Sequence, residues 1–148
     1  HDFSMLFTGD LPGNCEDELV SLKPVTVLKV AHHGSDYSTT KTFLQQITPQ
    51  LAVISCSENN RYGHPGKQLL KRLEEAKIPS VLITKDCGAI IIQTDGYRVE
   101  VETYLAKQSR YSLSVSPAPF LATTWAETLF ACESASAQEQ PFARLAMI

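Results

Sequence analysis

Short apolar runs alternate along the chain with stretches in which apolar residues recur every three or four positions. The runs, which are rich in Val, Ile and Leu, predict β-strands over residues 4–8, 26–31, 51–56, 80–84, 89–94 and 97–104. The last two runs flank Asp95-Gly96, a pair typical of two-residue hairpin turns. The pattern therefore predicts alternating strands and helices that are followed by a hairpin.

Amphipathic stretches predict helices over residues 15–22, 41–47 and 67–77. The first follows Asn14, a favoured helix-capping residue, and the second stops before Pro49, which disfavours helix in the residue before it. The third has Leu69 and Leu73 on one face, and Pro65 is predicted to open it as a first-turn proline. Each of these helices connects two strands, as in βαβ units.

This alternation predicts an α/β fold with a mostly parallel central sheet, to which the hairpin adds antiparallel edge strands. In such sheets, ligands bind beyond the carboxyl ends of the strands. We therefore expect the functional site in the loops that follow the strands at residues 4–8, 26–31 and 51–56.

The periodic pattern fails from about residue 107 onward. Residues 112–119 are rich in Ser, Pro and Ala, as in linkers, and residues 134–140 are of low complexity. Residues 120–131 are apolar enough for a short helix, but no periodicity indicates that it docks. We therefore divide the chain into a folded part, residues 1–105, and a poorly ordered tail, residues 106–148. Removal of the residues beyond about residue 110 should not destabilise the folded part.

The composition is that of an ordinary globular protein. The 148 residues are 43% hydrophobic and 20% charged, which suits one domain with one core. A formal net charge of −3 gives no overall attraction to a polyanion, so any nucleic-acid contact has to be local or metal-mediated. The cysteines are far apart without a C-x-x-C pair and are predicted to be small buried apolar residues. Because the chain starts at His1, without a signal-peptide pattern, we expect a piece of a longer polypeptide.

Residue types that bind metals stand where three predicted strands end. Asp10 follows Thr8-Gly9, the pair His32-His33 follows the second strand, and His64 stands in the polar loop after the third. Each has a structural alternative: Asp10 as a turn or helix-cap residue, and the histidines as satisfied structural groups. On an extended segment, adjacent side chains point to opposite faces, so we expect only one histidine of the pair to face the site.

The segments Leu6 to Asp10, Val27 to Ser35 and Asn59 to Pro65 resemble the second half of the metallo-β-lactamase-fold domain of ComEC-type DNA-internalisation competence proteins. In that family, Thr-Gly-Asp, Leu-Lys-Val-x-His-His-Gly-Ser and Asn-x-x-Tyr-Gly-His-Pro segments occur in this order, and the resemblance covers roughly residues 4–104. The His-x-Asp-x-Asp-His or His-x-His-x-Asp-His segment, which supplies most first-half ligands in the family, is absent from this chain. The resemblance thus implies an α/β, metallo-β-lactamase-like fold, half of an αββα sandwich, with half of its metal site.

The resemblance and the residue types together assign roles. Asp10, His33 and His64 are predicted ligands of a pair of zinc or manganese ions, with Asp10 as a bridging carboxylate. His32 is predicted to act on a proton or to orient its neighbour. Ser35, Asn60 and Arg61 are candidate substrate contacts, and their alternative is ordinary solvated loop chemistry. These seven residues make up the predicted site.

Three hypotheses about function follow. The parent protein is a metal-dependent phosphodiesterase or nuclease acting in natural transformation, or it hydrolyses a small ester, lactone or thioester, or the segment is a non-catalytic guide for DNA. The resemblance implies single- or double-stranded DNA and the rest of the parent polypeptide as partners. It also implies a soluble domain of an inner-membrane protein, on the extracytoplasmic side, with no membrane contact needed by this segment.

Overall fold

A computed structural model describes residues 3–19, 22–105, 111–114 and 143–147. The strands are β1 Met5–Phe7, β2 Val27–Lys29, β3 Leu51–Ile54, β4 Ser80–Ile83, β5 Ile90–Thr94, β6 Arg98–Thr103, β7 Tyr111–Ser114 and β8 Ala143–Met147. The helices are α1 Gly13–Glu16, α2 Lys41–Ile47, α3 Lys67–Glu75 and α4 Thr84–Cys87, and a 3₁₀ turn covers Ala31–His33. Within these residues, no helix is long and apolar enough to cross a membrane.

The described strands form two four-stranded sheets. The first is parallel throughout, in the order β1-β2-β3-β4, which confirms the predicted mainly parallel sheet. The second is antiparallel, in the order β7-β6-β5-β8. The predicted hairpin therefore exists as β5 and β6, but the prediction that it extends the parallel sheet is wrong, because it pairs with β7 and β8 instead.

Successive side chains along β2 and β3 point to opposite faces of the first sheet, and this explains how the sheet packs. Leu28, Ala52 and Ile54 point to the helical side and pack with the buried faces of α2 and α3. Val27 and Val53, one residue along, point to the other side and pack against the second sheet. Both faces of the first sheet are thus covered, which is why its strands read as unbroken apolar runs.

The sequence predicted α2 correctly and α3 within two residues at its end. Thr40 caps α2, since its hydroxyl accepts a hydrogen bond from the Phe43 amide at 3.2 Å. The cap of α3 is Gly66, so the prediction that Pro65 is a first-turn residue of this helix is wrong. Pro65 lies one residue before the cap.

The predicted helix over residues 15–22 is wrong in its bounds. The helix is a single turn, Gly13–Glu16, with Pro12 as its cap, so Asn14 lies inside the helix and does not cap it. The side chain of Glu16 is buried and accepts hydrogen bonds from the amides of Thr39 and Thr40. A buried carboxylate of this kind faces another part of the chain, which a local helix pattern does not reveal.

The turn between β5 and β6 is longer than the predicted two residues. Thr94 pairs with Val99, and residues 95–97 lie outside the strands. The Asp95 carboxylate accepts hydrogen bonds from the amides of Tyr97 and Arg98 at 2.8 and 2.7 Å. These two bonds lower the pKa of Asp95.

Two strands lie beyond residue 105, in the stretch for which the sequence predicted no strand. β7 pairs with β6, and β8 pairs with β5 over five residue pairs from Ile90 with Met147 to Thr94 with Ala143. Met147 is 9% exposed and belongs to the cluster between the sheets, so this part of the predicted tail packs on the core. The predicted helix at residues 120–131 and the low-complexity segment at 134–140 lie outside the described residues.

We expect Met147→Ala to lower the free energy of unfolding by about 2 kcal/mol or more, because it removes a side chain packed between the sheets. Urea denaturation of the 148-residue chain measures this. Ala146→Ser is the matched control, since Ala146 is exposed on the same strand and should change stability by less than about 0.5 kcal/mol. An unchanged midpoint for Met147→Ala would show that β8 does not contribute to the core.

Candidate functional site

Three loops meet beyond the carboxyl ends of β1, β2 and β3. They carry Asp10, the pair His32 and His33, and His64, and all four side chains line one cavity. Parallel pairing of the three strands places their carboxyl ends on the same sheet edge, as predicted. Ser35 and Asn60 also line this cavity, so six of the seven predicted site residues come together.

The two adjacent histidines are not on an extended segment. They belong to a 3₁₀ turn in which His32 and His33 have φ angles of 47° and 53°, followed by Gly34 at 91°. The turn is closed by hydrogen bonds from the Gly34 amide to the Ala31 carbonyl and from the Ser35 amide to the His32 carbonyl. The prediction that the two side chains face opposite sides is therefore wrong, and both rings line the cavity.

Backbone hydrogen bonds tie the three loops together. The His32 amide donates to the Gly9 carbonyl at 3.0 Å, beside Asp10, and the Gly66 amide donates to the Gly34 carbonyl at 2.8 Å. A Cβ atom at Gly34 would lie 2.8 Å from Cβ of Pro65, so this close approach requires glycine. The chain thereby brings the segment His64-Pro65 next to the histidine turn.

Each ring of the histidine pair is held through its Nδ1 atom. Nδ1 of His33 lies 2.8 Å from the carbonyl oxygen of Ser55, and Nδ1 of His32 lies 2.9 Å from the hydroxyl of Ser38, which is buried. Because a carbonyl only accepts, His33 donates from Nδ1, and its Nε2 atom keeps a lone pair. Metal-binding histidines commonly use this arrangement.

Asn60 shapes the loop that presents His64. Its side-chain oxygen accepts from the His64 amide at 2.7 Å, and its amide nitrogen donates to the carbonyls of Ser57 and His64 at 2.7 and 2.8 Å. Asn60 thus has a structural task, although it was singled out as a substrate contact. Arg61 does not line the cavity, and its guanidinium lies 4.7 Å from the ring centre of Tyr62.

Two further groups near the strand ends have shifted pKa values. Burial lowers the pKa of the Lys29 ammonium, and the negative charge of Asp10 partly offsets this effect. Lys29 also donates to the Val30 carbonyl at 3.0 Å. Burial raises the pKa of the Cys56 thiol, and the charge of Lys85 opposes this effect, so the thiol in the cavity wall is protonated near pH 7.

The cavity has a volume of about 740 Å³, within the range of small-molecule and cofactor sites. Its remaining lining includes Tyr37, Ser57 and Tyr62, which the sequence analysis did not single out. An exposed tyrosine within a motif is a weak signal by itself, because single exposed aromatics are common on protein surfaces.

Several curated proteins are similar to this chain over more than half of its length. ComE operon protein 3 of Bacillus subtilis (strain 168) is 43% identical over 90 residues, which make up 59% of the chain and 12% of that protein. Recombination protein 2 of Haemophilus influenzae is 32% identical over 107 residues, 72% of the chain and 14% of that protein. Competence protein ComA of Neisseria gonorrhoeae is 35% identical over 91 residues, 59% of the chain and 13% of that protein. These relatives indicate a competence-family protein.

The competence-family relatives are much longer than the chain, which spans only 12%, 14% and 13% of their lengths. The similarity therefore concerns one segment of each of them. No protein-family model and no solved structure matches the chain.

The side chains at the cavity are of types that bind metal ions, but there are too few of them for a complete metal site. Asp10 offers a carboxylate, and His33 offers a ring nitrogen whose opposite nitrogen is already hydrogen-bonded. Within the described ranges, however, no three His, Cys, Asp or Glu side chains group closely enough to hold one ion. A complete site would need ligands from outside these residues.

A second group of residues, missed by the sequence analysis, holds the loop over residues 35–40. Glu16 accepts from the amides of Thr39 and Thr40, at 2.5 and 2.7 Å. Arg72 of α3 donates to the carbonyls of Asp36, Ser38 and Thr39 at 2.9, 2.9 and 3.2 Å. This loop carries the Ser38 hydroxyl, so both charged side chains help to position the ring of His32.

Proposed function

We propose that this chain is the second half of a metallo-β-lactamase-like hydrolase domain, which cleaves phosphodiester bonds of DNA within a longer DNA-uptake protein. The observation that carries the proposal is the shared cavity of Asp10, His32, His33 and His64 at the ends of parallel strands. Relatives named as competence proteins support a role in natural transformation. The parallel sheet covered by helices on one face and a second sheet on the other is consistent with half of an αββα sandwich.

Asp10, His33 and His64 would hold zinc or manganese together with ligands from the preceding part of the parent polypeptide. When bound, such ions supply Lewis-acid chemistry to a phosphodiester. The hydrogen bond from Nδ1 of His33 to Ser55 fixes the tautomer in which Nε2 can act as a ligand. Asp10 adds a negative charge that offsets part of the charge of the cations.

His32 is the residue of this chain that we assign to proton transfer. Its Nδ1 atom is engaged by the buried Ser38 hydroxyl, which fixes the ring in the cavity wall and leaves Nε2 for a proton. A ring fixed in this way can give a proton to the leaving oxygen of the scissile phosphate. Its neighbour His33 is exposed and suits a ligand role better.

The isolated chain should bind zinc weakly and below one equivalent, because it contains half of the proposed ligand set. The measurement is elemental analysis of the 148-residue chain after dialysis, with His33→Ala as the comparison, which should reduce the remaining metal further. Two tightly held equivalents in the isolated chain would contradict the assignment of ligands to the rest of the parent.

The proposed activity is tested with the purified, complete parent protein. We expect cleavage of single- or double-stranded DNA that requires Mn²⁺ or Zn²⁺ and stops on addition of EDTA. Hydrolysis of lactones or thioesters, with DNA left intact, would favour the acyl-substrate hypothesis. DNA binding without any cleavage would favour the non-catalytic guide.

The resemblance to the competence family also underlies our proposal for location. We propose a parent anchored in the inner membrane, with this segment in a domain outside the spanning part and on the extracytoplasmic side. Accessibility of a cysteine introduced at exposed Glu58 to a membrane-impermeant thiol reagent in intact cells tests the side of the membrane.

A further inference from the structure

Two tyrosines that line the cavity are largely open to solvent. Tyr37 exposes 89% of its surface and Tyr62 exposes 66%, and both line the cavity that holds the histidines. A tyrosine ring in water forgoes the stabilisation that burial of a large aromatic side chain provides. Two such rings at one cavity indicate a surface that a ligand covers.

The backbone of Tyr37 is fixed on both sides, although its ring is exposed. The Tyr37 amide donates to the Ser35 hydroxyl at 3.2 Å, and its carbonyl accepts from the Gly13 amide at 3.0 Å. A Cβ atom at Gly13 would lie 2.8 Å from that carbonyl oxygen, so glycine allows the contact. A fixed backbone removes the backbone part of the entropy that ordering this residue on a ligand would otherwise cost.

The ring of Tyr62 lies beside a positively charged guanidinium group and a second aromatic ring. Its ring is stacked with that of His64, with centroids 5.7 Å apart and planes 17° from parallel. The Arg61 guanidinium lies 4.7 Å from the centre of the Tyr62 ring and donates a hydrogen bond to its hydroxyl. The group thus combines an aromatic surface with a positive charge, the two features that single-stranded nucleic-acid sites use for bases and phosphates.

We infer that Tyr37 and Tyr62 form a stacking rim that binds unpaired bases, so that the ligand of this cavity is single-stranded nucleic acid, with Arg61 placed for a backbone phosphate. The inference rests on the proposed function and narrows its substrate. Bases inside a duplex are already stacked on each other and do not offer their faces to such a rim. A net charge of −3 gives little general attraction to the phosphates, so stacking has to supply much of the affinity.

The test uses fluorescence anisotropy of the 148-residue chain at one fixed salt concentration. The probes are a labelled oligothymidylate of about 12 nucleotides, an abasic strand of the same length, and a duplex of the same length. We expect tightest binding to oligothymidylate and a loss of about 5- to 150-fold on Tyr37→Ala, since stacking on an aromatic ring is worth about 1–3 kcal/mol per base. Tyr37→Phe should retain the affinity, because it keeps the ring.

Tyr104→Ala is the matched control, because Tyr104 is 81% exposed and does not line the cavity. Its affinity for oligothymidylate should equal that of the unmodified chain. Equal affinity for the abasic strand, or an unchanged affinity in Tyr37→Ala, would overturn the stacking rim while leaving DNA binding in place. Failure to bind any of the three probes would overturn the rim and the proposed DNA function together.

Discussion

Replacing Asp10 by alanine in the complete parent protein should lower the rate of metal-dependent DNA cleavage by about 100-fold or more. Changes that only touch the partners of metal ligands cost about 10- to 100-fold, so the loss of a ligand should cost at least the upper figure. His33→Ala should behave in the same way and lose metal and activity together. Initial cleavage rates and metal content, measured in parallel, give the result.

His32→Ala separates proton transfer from metal binding. If His32 supplies a proton, this variant keeps its metal and loses about 10²- to 10⁴-fold in turnover. Glu58→Ala is the control, because Glu58 is an exposed residue of the loop that carries His64 and does not line the cavity. Full cleavage activity in the Asp10, His32 and His33 variants would show that these residues, and hence this cavity, do not carry out the cleavage.

The parallel sheet and its helices could be predicted because their signals are local. The apolar run of β3 and the spacing of Leu69 and Leu73 in α3 each lie within one element, and burial confirms both. The second sheet could be predicted only for its hairpin, β5 and β6. β7 lies in a stretch where apolar and polar residues alternate, which is a strand signal, although the sequence analysis interpreted that stretch as a linker. β8 owes its place to pairing with β5, whose residues lie some fifty positions earlier in the chain.

The site residues that follow the ends of strands could be predicted from the sequence. Asp10 and His64 follow strand runs, and parallel pairing brings those runs together. The orientation of His32 and His33 was not predictable, since it depends on a left-handed turn that is closed by Gly34 and held by the Gly9 carbonyl. For Asn60, the sequence showed a polar residue but not that its amide group is engaged within its own loop.

The roles of Glu16 and Arg72 could not be predicted either, because their hydrogen-bond partners are distant in the sequence. As sequence, Glu16 belongs to a short polar stretch and Arg72 to the charged face of an amphipathic helix. In the structure, both bind the backbone of the loop over residues 35–40, which lies more than twenty residues away from each of them. Charged side chains that bind distant backbone groups leave no periodic trace, so the positioning of Ser38 and His32 becomes visible only in three dimensions.

Glu16→Ala should lower the free energy of unfolding by about 3 kcal/mol or more. The side chain is 1% exposed, and its removal leaves the amides of Thr39 and Thr40 without their acceptor. Hydrogen bonds to charged groups contribute about 1.5–3 kcal/mol each, and a typical domain has only about 5–15 kcal/mol in total. Urea denaturation of the 148-residue chain measures the loss.

Two further variants test whether the loss of stability comes from the carboxylate of Glu16. Glu16→Gln keeps the shape and one acceptor oxygen, so it should lose about half as much stability as Glu16→Ala. Glu18→Ala should stay within about 0.5 kcal/mol of the unmodified chain, because Glu18 is exposed two residues further along.

In the complete parent, Glu16→Gln should also slow cleavage while metal content stays unchanged, because a displaced loop takes the Ser38 hydroxyl away from Nδ1 of His32. Equal stability in Glu16→Ala and Glu18→Ala would mean that the loop over residues 35–40 does not depend on this carboxylate, and that His32 is positioned by Arg72 and the Gly9 carbonyl instead.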